Sequence, residues 1–144
     1  MLMPDINLLV YAHRADQPYH VAYRDWWTAA VRGPAPVALS QLVALGFVRV
    51  VTLAAFPGGA TPLSTALAFI DGIVAQPNCR LVAPGPETWR RTAELCRAVN
   101  ATGKLVADAT HAAIAIAEGC TWASRDGDFA RFAPHGLRWQ HVVL

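Results

Sequence analysis

The sequence predicts an α/β fold, a parallel sheet with helices on both of its faces. Two observations lead there. Short apolar runs alternate with longer stretches of helical periodicity, and Gly- and Pro-rich turns separate them. Aspartates also recur where the strands of such a sheet should end: Asp5 follows the opening run, Asp108 opens the alanine-rich stretch 109–117, and Asp126 and Asp128 lie in the turn 124–129.

The elements follow in order. Residues 2–4 read as a short strand stopping at Asp5, and 7–13 continues with apolar residues at helical spacing. Pro18 starts a second helix running to about Val31, which carries Tyr23, Trp26 and Trp27. Gly33-Pro34-Ala35-Pro36 breaks it, and 37–39 reads as a buried strand. Ser40 is a good N-cap for a helix over 41–53. After the Pro57-Gly58-Gly59 loop, Thr61 or Pro62 opens a helix to about Ala75, with Leu63, Leu67, Ile70 and Val74 on one apolar stripe. Residues 80–82 form a strand, and Pro86-Glu87 starts a helix that ends near Asn100. Leu105 to Gly119 is the last helix, 121–123 a strand, and 137–143 a closing strand. Ligands of such sheets bind beyond the carboxyl ends of the strands. Asp5 and Ser124–Asp128 follow strands directly and should face that crevice, with Ser40 near it.

Composition narrows the classes. A chain of 144 residues reads as one domain, and 54% apolar with 15% charged residues is enough to bury a full core. The longest apolar stretch, 105–117, is interrupted by Asp108 and His111 and is too short to span a membrane. No basic segment precedes an apolar run at the N-terminus, so no secretory signal is expected. Cys79, Cys96 and Cys120 are odd in number and widely spaced, as expected for reduced thiols of a cytoplasmic protein. The net charge of +2 permits nucleic-acid binding without demanding it. A mean hydropathy of +0.29 points to apolar surface that meets a partner.

Four of the ten carboxylates fall at the junctions named above. Carboxylates gathered at one sheet edge repel one another, and burial strengthens the repulsion. A hard cation neutralises such a cluster, and oxygen-only ligands favour Mg²⁺ or Mn²⁺. The pattern suggests a metal-dependent phosphodiester enzyme.

Four motifs then carry a resemblance. Asp5-Ile6-Asn7-Leu8-Leu9-Val10-Tyr11, Ser40 with Gly46-Phe47-Val48-Arg49-Val50-Val51-Thr52, Ala107-Asp108-Ala109-Thr110-His111-Ala112-Ala113, and Ser124-Arg125-Asp126-Gly127-Asp128-Phe129-Ala130-Arg131-Phe132 resemble, in order and spacing, those of PIN-domain nucleases, the fold of VapC-type toxins. The resemblance implies a PIN-like three-layer sandwich with a mostly parallel sheet of four to five strands. It implies a Mg²⁺- or Mn²⁺-dependent endoribonuclease, the toxin of a toxin–antitoxin pair, with an antitoxin protein and RNA as partners and a homodimer as its assembly. Asp5, Asp108 and Asp126 would bind the metal, Asp128 would be a fourth acid, and Asn7, Ser40 and Ser124 would support them by hydrogen bonds.

One position departs from the family. Its second motif normally carries a glutamate, and here the residue after the serine is Gln41, with Ala44 and Gly46 at the other candidate positions. Gln41 can offer a carbonyl oxygen but no charge, which predicts weakened activity. The alternative is a catalytically impaired protein that holds RNA or an antitoxin without cutting.

Plainer readings stand beside these. Asp128 divides evenly between a ligand and a turn residue, and Ser40 is most simply a cap. His111, one turn after Asp108, approaches either the metal site or the substrate, or is a half-buried helix histidine. Arg14, Arg49, Lys104, Arg125 and Arg131 are candidates to hold substrate phosphates. Arg49 alternatively orients a carboxylate. No serine-hydrolase elbow, dinucleotide fingerprint or P-loop occurs.

Overall fold

The computed structural model describes residues 1–144. Five strands form one parallel sheet: β1 (Leu2–Pro4), β2 (Val37–Ser40), β3 (Cys79–Val82), β4 (Thr121–Ser124) and β5 (Arg138–His141), in the order β3-β2-β1-β4-β5. Six helices connect them: α1 (Ile6–His13), α2 (His20–Arg32), α3 (Gln41–Val51), α4 (Leu63–Val74), α5 (Glu87–Val99) and α6 (Lys104–Ala117). A 3₁₀ segment, Gly127–His135, joins β4 to β5. No helix is long and apolar enough to cross a membrane.

The helices divide into two layers. α1 packs on α2 and α3, and α3 on α4, whereas α5 packs on α6 and both meet the 3₁₀ segment. The sheet lies between them, and the core cluster of 26 buried residues takes side chains from both layers, among them Phe47, Ile70, Ala113 and Trp122. β1 and β4 are adjacent, yet the chain leaving β1 enters the first layer and the chain leaving β4 enters the second. Such a switch point opens a crevice beyond the carboxyl ends of the two strands.

Pro4 shapes that crevice. The Asp5 amide donates to the Ala123 carbonyl at 2.8 Å, extending the β1–β4 ladder. Successive residues of a strand bond to alternate sides, so the position of Pro4 faces β2, where it has no N–H to give. The β1–β2 ladder accordingly holds one register pair, Leu2 with Val37, against three between β1 and β4.

Two expectations change. The buried stripe of α4 is Ala66, Ile70 and Ile73, while Leu63 and Leu67 are 58% and 46% exposed. Leu63, Leu67 and Val74 therefore lie outside the core, because the helix turns its small residue, Ala66, toward its neighbours. Asp108 is not at a strand end either. It lies inside α6, one turn after Lys104, because the helix begins directly after Gly103, whose φ of +59° with ψ of −130° turns the chain.

Arg14 organises the loop after α3. Its buried guanidinium donates to Asp16 at 2.9 and 2.6 Å, to the Gly59 carbonyl at 2.6 Å and to Thr61 Oγ1 at 3.2 Å, and it lies 4.5 Å from the centre of the Phe56 ring. It clamps the loop and is not available to a phosphate, contrary to the expectation from sequence. Its hydrogen bonds hold the Asp16 carboxyl down at a pKa of about 2. A depressed carboxylate contributes stability above its unfolded pKa, near 4, that is lost as pH falls toward 2. Arg14→Ala is expected to lower the melting temperature by about 5 °C and to flatten the stability-versus-pH curve between pH 4 and 2, measured at low salt because Asp16 is partly exposed.

Candidate active site

The carboxyl ends of β1 and β4 place Asp5 and Ser124 side by side. Ser124 Oγ donates to Asp5 Oδ2 at 2.6 Å, and Asn7 Nδ2 donates to the same oxygen at 3.1 Å. Asp5 Oδ1 accepts from the Ile6 amide at 2.7 Å at the start of α1. Ser124 Oγ in turn accepts from the Asp126 amide at 2.9 Å. Asp5 is thus buried with both oxygens oriented by neighbours. Burial pushes its pKa up, the Ser124 and Ile6 hydrogen bonds oppose that, and the Asp126 charge adds to it.

Asp108 approaches from α6 and Asp126 from the turn after β4. Burial raises the Asp108 carboxyl, Lys104 opposes the rise, and Asp126 and Asp5 reinforce it. Asp126 is lowered, first by Lys104 and then by the Asp128 amide, which donates to its Oδ1 at 3.0 Å. Lys104 Nζ bridges the two acids, bonding Asp126 and lying 3.5 Å from Asp108 Oδ2. All three carboxylates line one open cavity of about 520 Å³ together with Lys104, Asn7, Arg49 and His111. Arg49 has no carboxylate partner there.

The donor set fits a hard divalent cation. It offers oxygen only, it concentrates like charge, and the chain's own ammonium already sits between two of the acids. In this conformation no three acid, histidine or cysteine side chains are arranged so as to hold a metal ion. Lys104 fills part of that space, and its side chain, 69% exposed, is free to leave it.

Several expected site residues lie elsewhere. Gln41 is exposed at the first turn of α3 and does not line the cavity. Ser40 caps α3, its Oγ accepting from the Leu42 amide at 3.2 Å, and is fully buried. Asp128 is exposed and supports the turn through its backbone. Arg125 lies over Tyr11 and Tyr19, 5.0 Å from each ring centre; it is not itself in the cavity lining, although Tyr11 is. Arg131 donates to the Val99 carbonyl at the end of α5. His111 lines the cavity but stacks on Trp122 at 5.2 Å, and burial lowers its pKa.

The expectation of weakened activity came from the lack of the family's acid at Gln41; that position is exposed and does not line the cavity, and the lining holds no further acid beyond Asp5, Asp108 and Asp126. A side chain at Gly46 would meet the tip of the Ile6 side chain, which would have to turn away. Gln41→Glu is expected to leave the half-maximal metal concentration of any cleavage reaction unchanged, and a fall in that concentration would return Gln41 to the site. Glu87 and Glu94 are occupied by Arg90, and Glu118 by Arg80, so none supplies a missing acid.

The sequence reading missed Gln17, Phe56 and Pro57, which line the far end of the cavity. Pro57-Gly58-Gly59 signals a loop, but no local pattern says that the loop folds back over α1.

Comparison with known proteins gives a consistent picture. The family model described as the PIN domain matches residues 2–134. The VapC ribonuclease Mb2897 of Mycobacterium bovis is 38% identical over 99% of this chain and 96% of its own length. Ribonuclease VapC31 of Mycobacterium tuberculosis is 36% identical over 92% of this chain and 94% of its own length. Among solved structures, VapBC2 from Rickettsia felis bound to a promoter DNA fragment superposes with a TM-score of 0.70 at 17% identity, covering 96% of each chain. The Mycobacterium tuberculosis VapC20 toxin, described as cleaving the sarcin–ricin loop, gives 0.67 at 16% identity, over 96% of this chain and 98% of that one.

Proposed function

The chain belongs to the PIN-domain family, and from that premise we propose that it is a Mg²⁺- or Mn²⁺-dependent endoribonuclease, the toxin of a type II toxin–antitoxin pair. The observation that carries the reading is the single cavity at the β1–β4 switch point, where three acids meet Lys104 and an unpaired arginine. Asp5, Asp108 and Asp126 are the residues that would hold the ion. The chemistry such an ion supplies is activation of a water and relief of charge on the phosphate oxygens.

The chain's own residues have distinct tasks in this reading. Ser124 and Asn7 fix the Asp5 carboxylate, so that its orientation is set before anything binds. Arg49 binds a phosphate oxygen of the RNA backbone, which positions the strand without reading its bases. Lys104, displaced from Asp108 and Asp126, joins Arg49 in that task. His111 is a wall of the cavity.

The proposed protein partner is an antitoxin. The groove between α2 and α4, lined by Trp27, Val31, Phe69 and Ile73, suits an apolar helix face. A homodimer using the exposed Leu63 and Leu67 is the companion proposal for the adjoining surface.

The test is incubation of the purified protein with a structured RNA in Mn²⁺ and in chelator. Cleavage in the first and none in the second is expected. Cleavage that persists in chelator would remove the metal from the reading, and no cleavage at any Mn²⁺ concentration would remove the ribonuclease itself.

A further inference from the structure

The cavity has two chemically different ends. One carries the acids, Lys104 and Arg49, and the other is built from Val10, Tyr11, Phe56, Pro57 and Gln17. Its volume of about 520 Å³ lies in the range of small-molecule pockets, about 300–1,000 Å³. The metal and phosphate chemistry of the acidic end makes no use of the apolar one.

The rings of that end are held in place from behind. Tyr11 stacks on Tyr23 with ring centres 5.1 Å apart, and Tyr23 is fully buried, its hydroxyl donating to the Val142 carbonyl at 3.1 Å. Phe56, in the same lining, is positioned by the buried Arg14 guanidinium, 4.5 Å from its ring centre, which also bonds the Gly59 carbonyl of the same loop. Gln17 Nε2 reaches the Pro57 carbonyl at 3.4 Å, which ties its amide to the same loop. An occupant that used both sets of residues would carry a flat ring with polar edges joined to an anionic group.

Resting on the ribonuclease reading, we propose that the Tyr11–Phe56 end of the cavity is a nucleobase pocket that takes one unstacked base of the RNA beside the phosphate to be cut, with Gln17 contacting the base edge. Stacking on aromatic side chains suits any base, whereas the glutamine amide distinguishes one edge from another. Arg14 is a positioning residue in this scheme, acting through Phe56.

The experiment measures binding of a short single-stranded oligoribonucleotide to the full chain in chelator, with one abasic residue walked along the strand. For the wild-type protein, one position is expected to weaken binding roughly tenfold. Phe56→Ala should bind the intact strand roughly tenfold more weakly and lose the dependence on that position, and Phe56→Tyr should restore both. Gln17→Ala, at a partly exposed residue that the fold tolerates, should change the ranking of the four bases at that position. A flat abasic profile in the wild-type protein overturns the pocket, as does a profile in Phe56→Ala identical to the wild type. A nucleoside monophosphate that displaces the strand at the strand's own concentration assigns the pocket to free nucleotides and also overturns the proposal. If the wild-type protein cleaves RNA in Mn²⁺ yet shows the flat profile, only the pocket fails. If it neither binds nor cleaves RNA, the ribonuclease reading fails with it.

Discussion

Asp108→Asn is expected to slow RNA cleavage about a thousandfold, the rate equivalent of the several kcal/mol that a divalent ion contributes to phosphoryl chemistry. Asparagine keeps the size and shape of the side chain, so packing inside α6 is preserved. What is lost is the negative charge beside Asp126 and Lys104. Asp5→Asn tests the same point from the other wall, but it also disturbs the Ser124 hydrogen bond and the start of α1. Asp108 is therefore the cleaner variant. Circular dichroism should show unchanged folding, and titration with Mn²⁺ should show weakened binding. Turnover within threefold of wild type, with folding intact, would sink the assignment of Asp108.

The second large effect concerns Lys104. Its ammonium bridges Asp108 and Asp126, so a divalent ion bound by these acids, as proposed, would compete with Lys104 for the same oxygens. Lys104→Met retains the aliphatic stem and removes the charge. Each carboxylate contact of an exposed ammonium is worth up to about 1 kcal/mol, so the variant is expected to bind Mn²⁺ roughly tenfold more tightly in calorimetry. Because Lys104 is exposed, high salt should narrow the difference between the two proteins. Equal affinities at low salt would mean that the ion does not enter between Asp108 and Asp126. RNA binding should move the opposite way and weaken, since one cation facing the phosphate is gone.

Much of the architecture is legible along the chain because it is written in local chemistry. Ser40 caps α3 as its position before the apolar run predicts, and the Asn100 and Gly119 signals fall at the ends of α5 and α6. The strands β1 to β5 all appear at the expected places, within one or two residues. The exception in α4 is instructive. Leu63, Leu67, Ile70 and Val74 form as good an apolar stripe as Ala66, Ile70 and Ile73, and only the shape of the neighbouring helices chooses between them. The 3₁₀ segment Gly127–His135 was likewise invisible as a helix, because it contains Pro134 and lacks a sustained helical period.

The amino-acid sequence by itself determined the identities and order of the acids, the alternation of strand and helix, and the turns that separate them. Those properties depend on neighbours a few residues apart, where propensity, capping and periodicity act. Only the tertiary structure decided that Asp5, Asp108 and Asp126 share a cavity while Gln41, Asp128 and Arg125 do not line it, that Lys104 lies between Asp108 and Asp126, and that Tyr11 and Phe56 line the same cavity. Residues separated by about a hundred positions meet because parallel strands β1 and β4 are neighbours in the sheet. No local pattern encodes that distance: it emerges when two helical layers close over opposite faces and the crevice between them is left open.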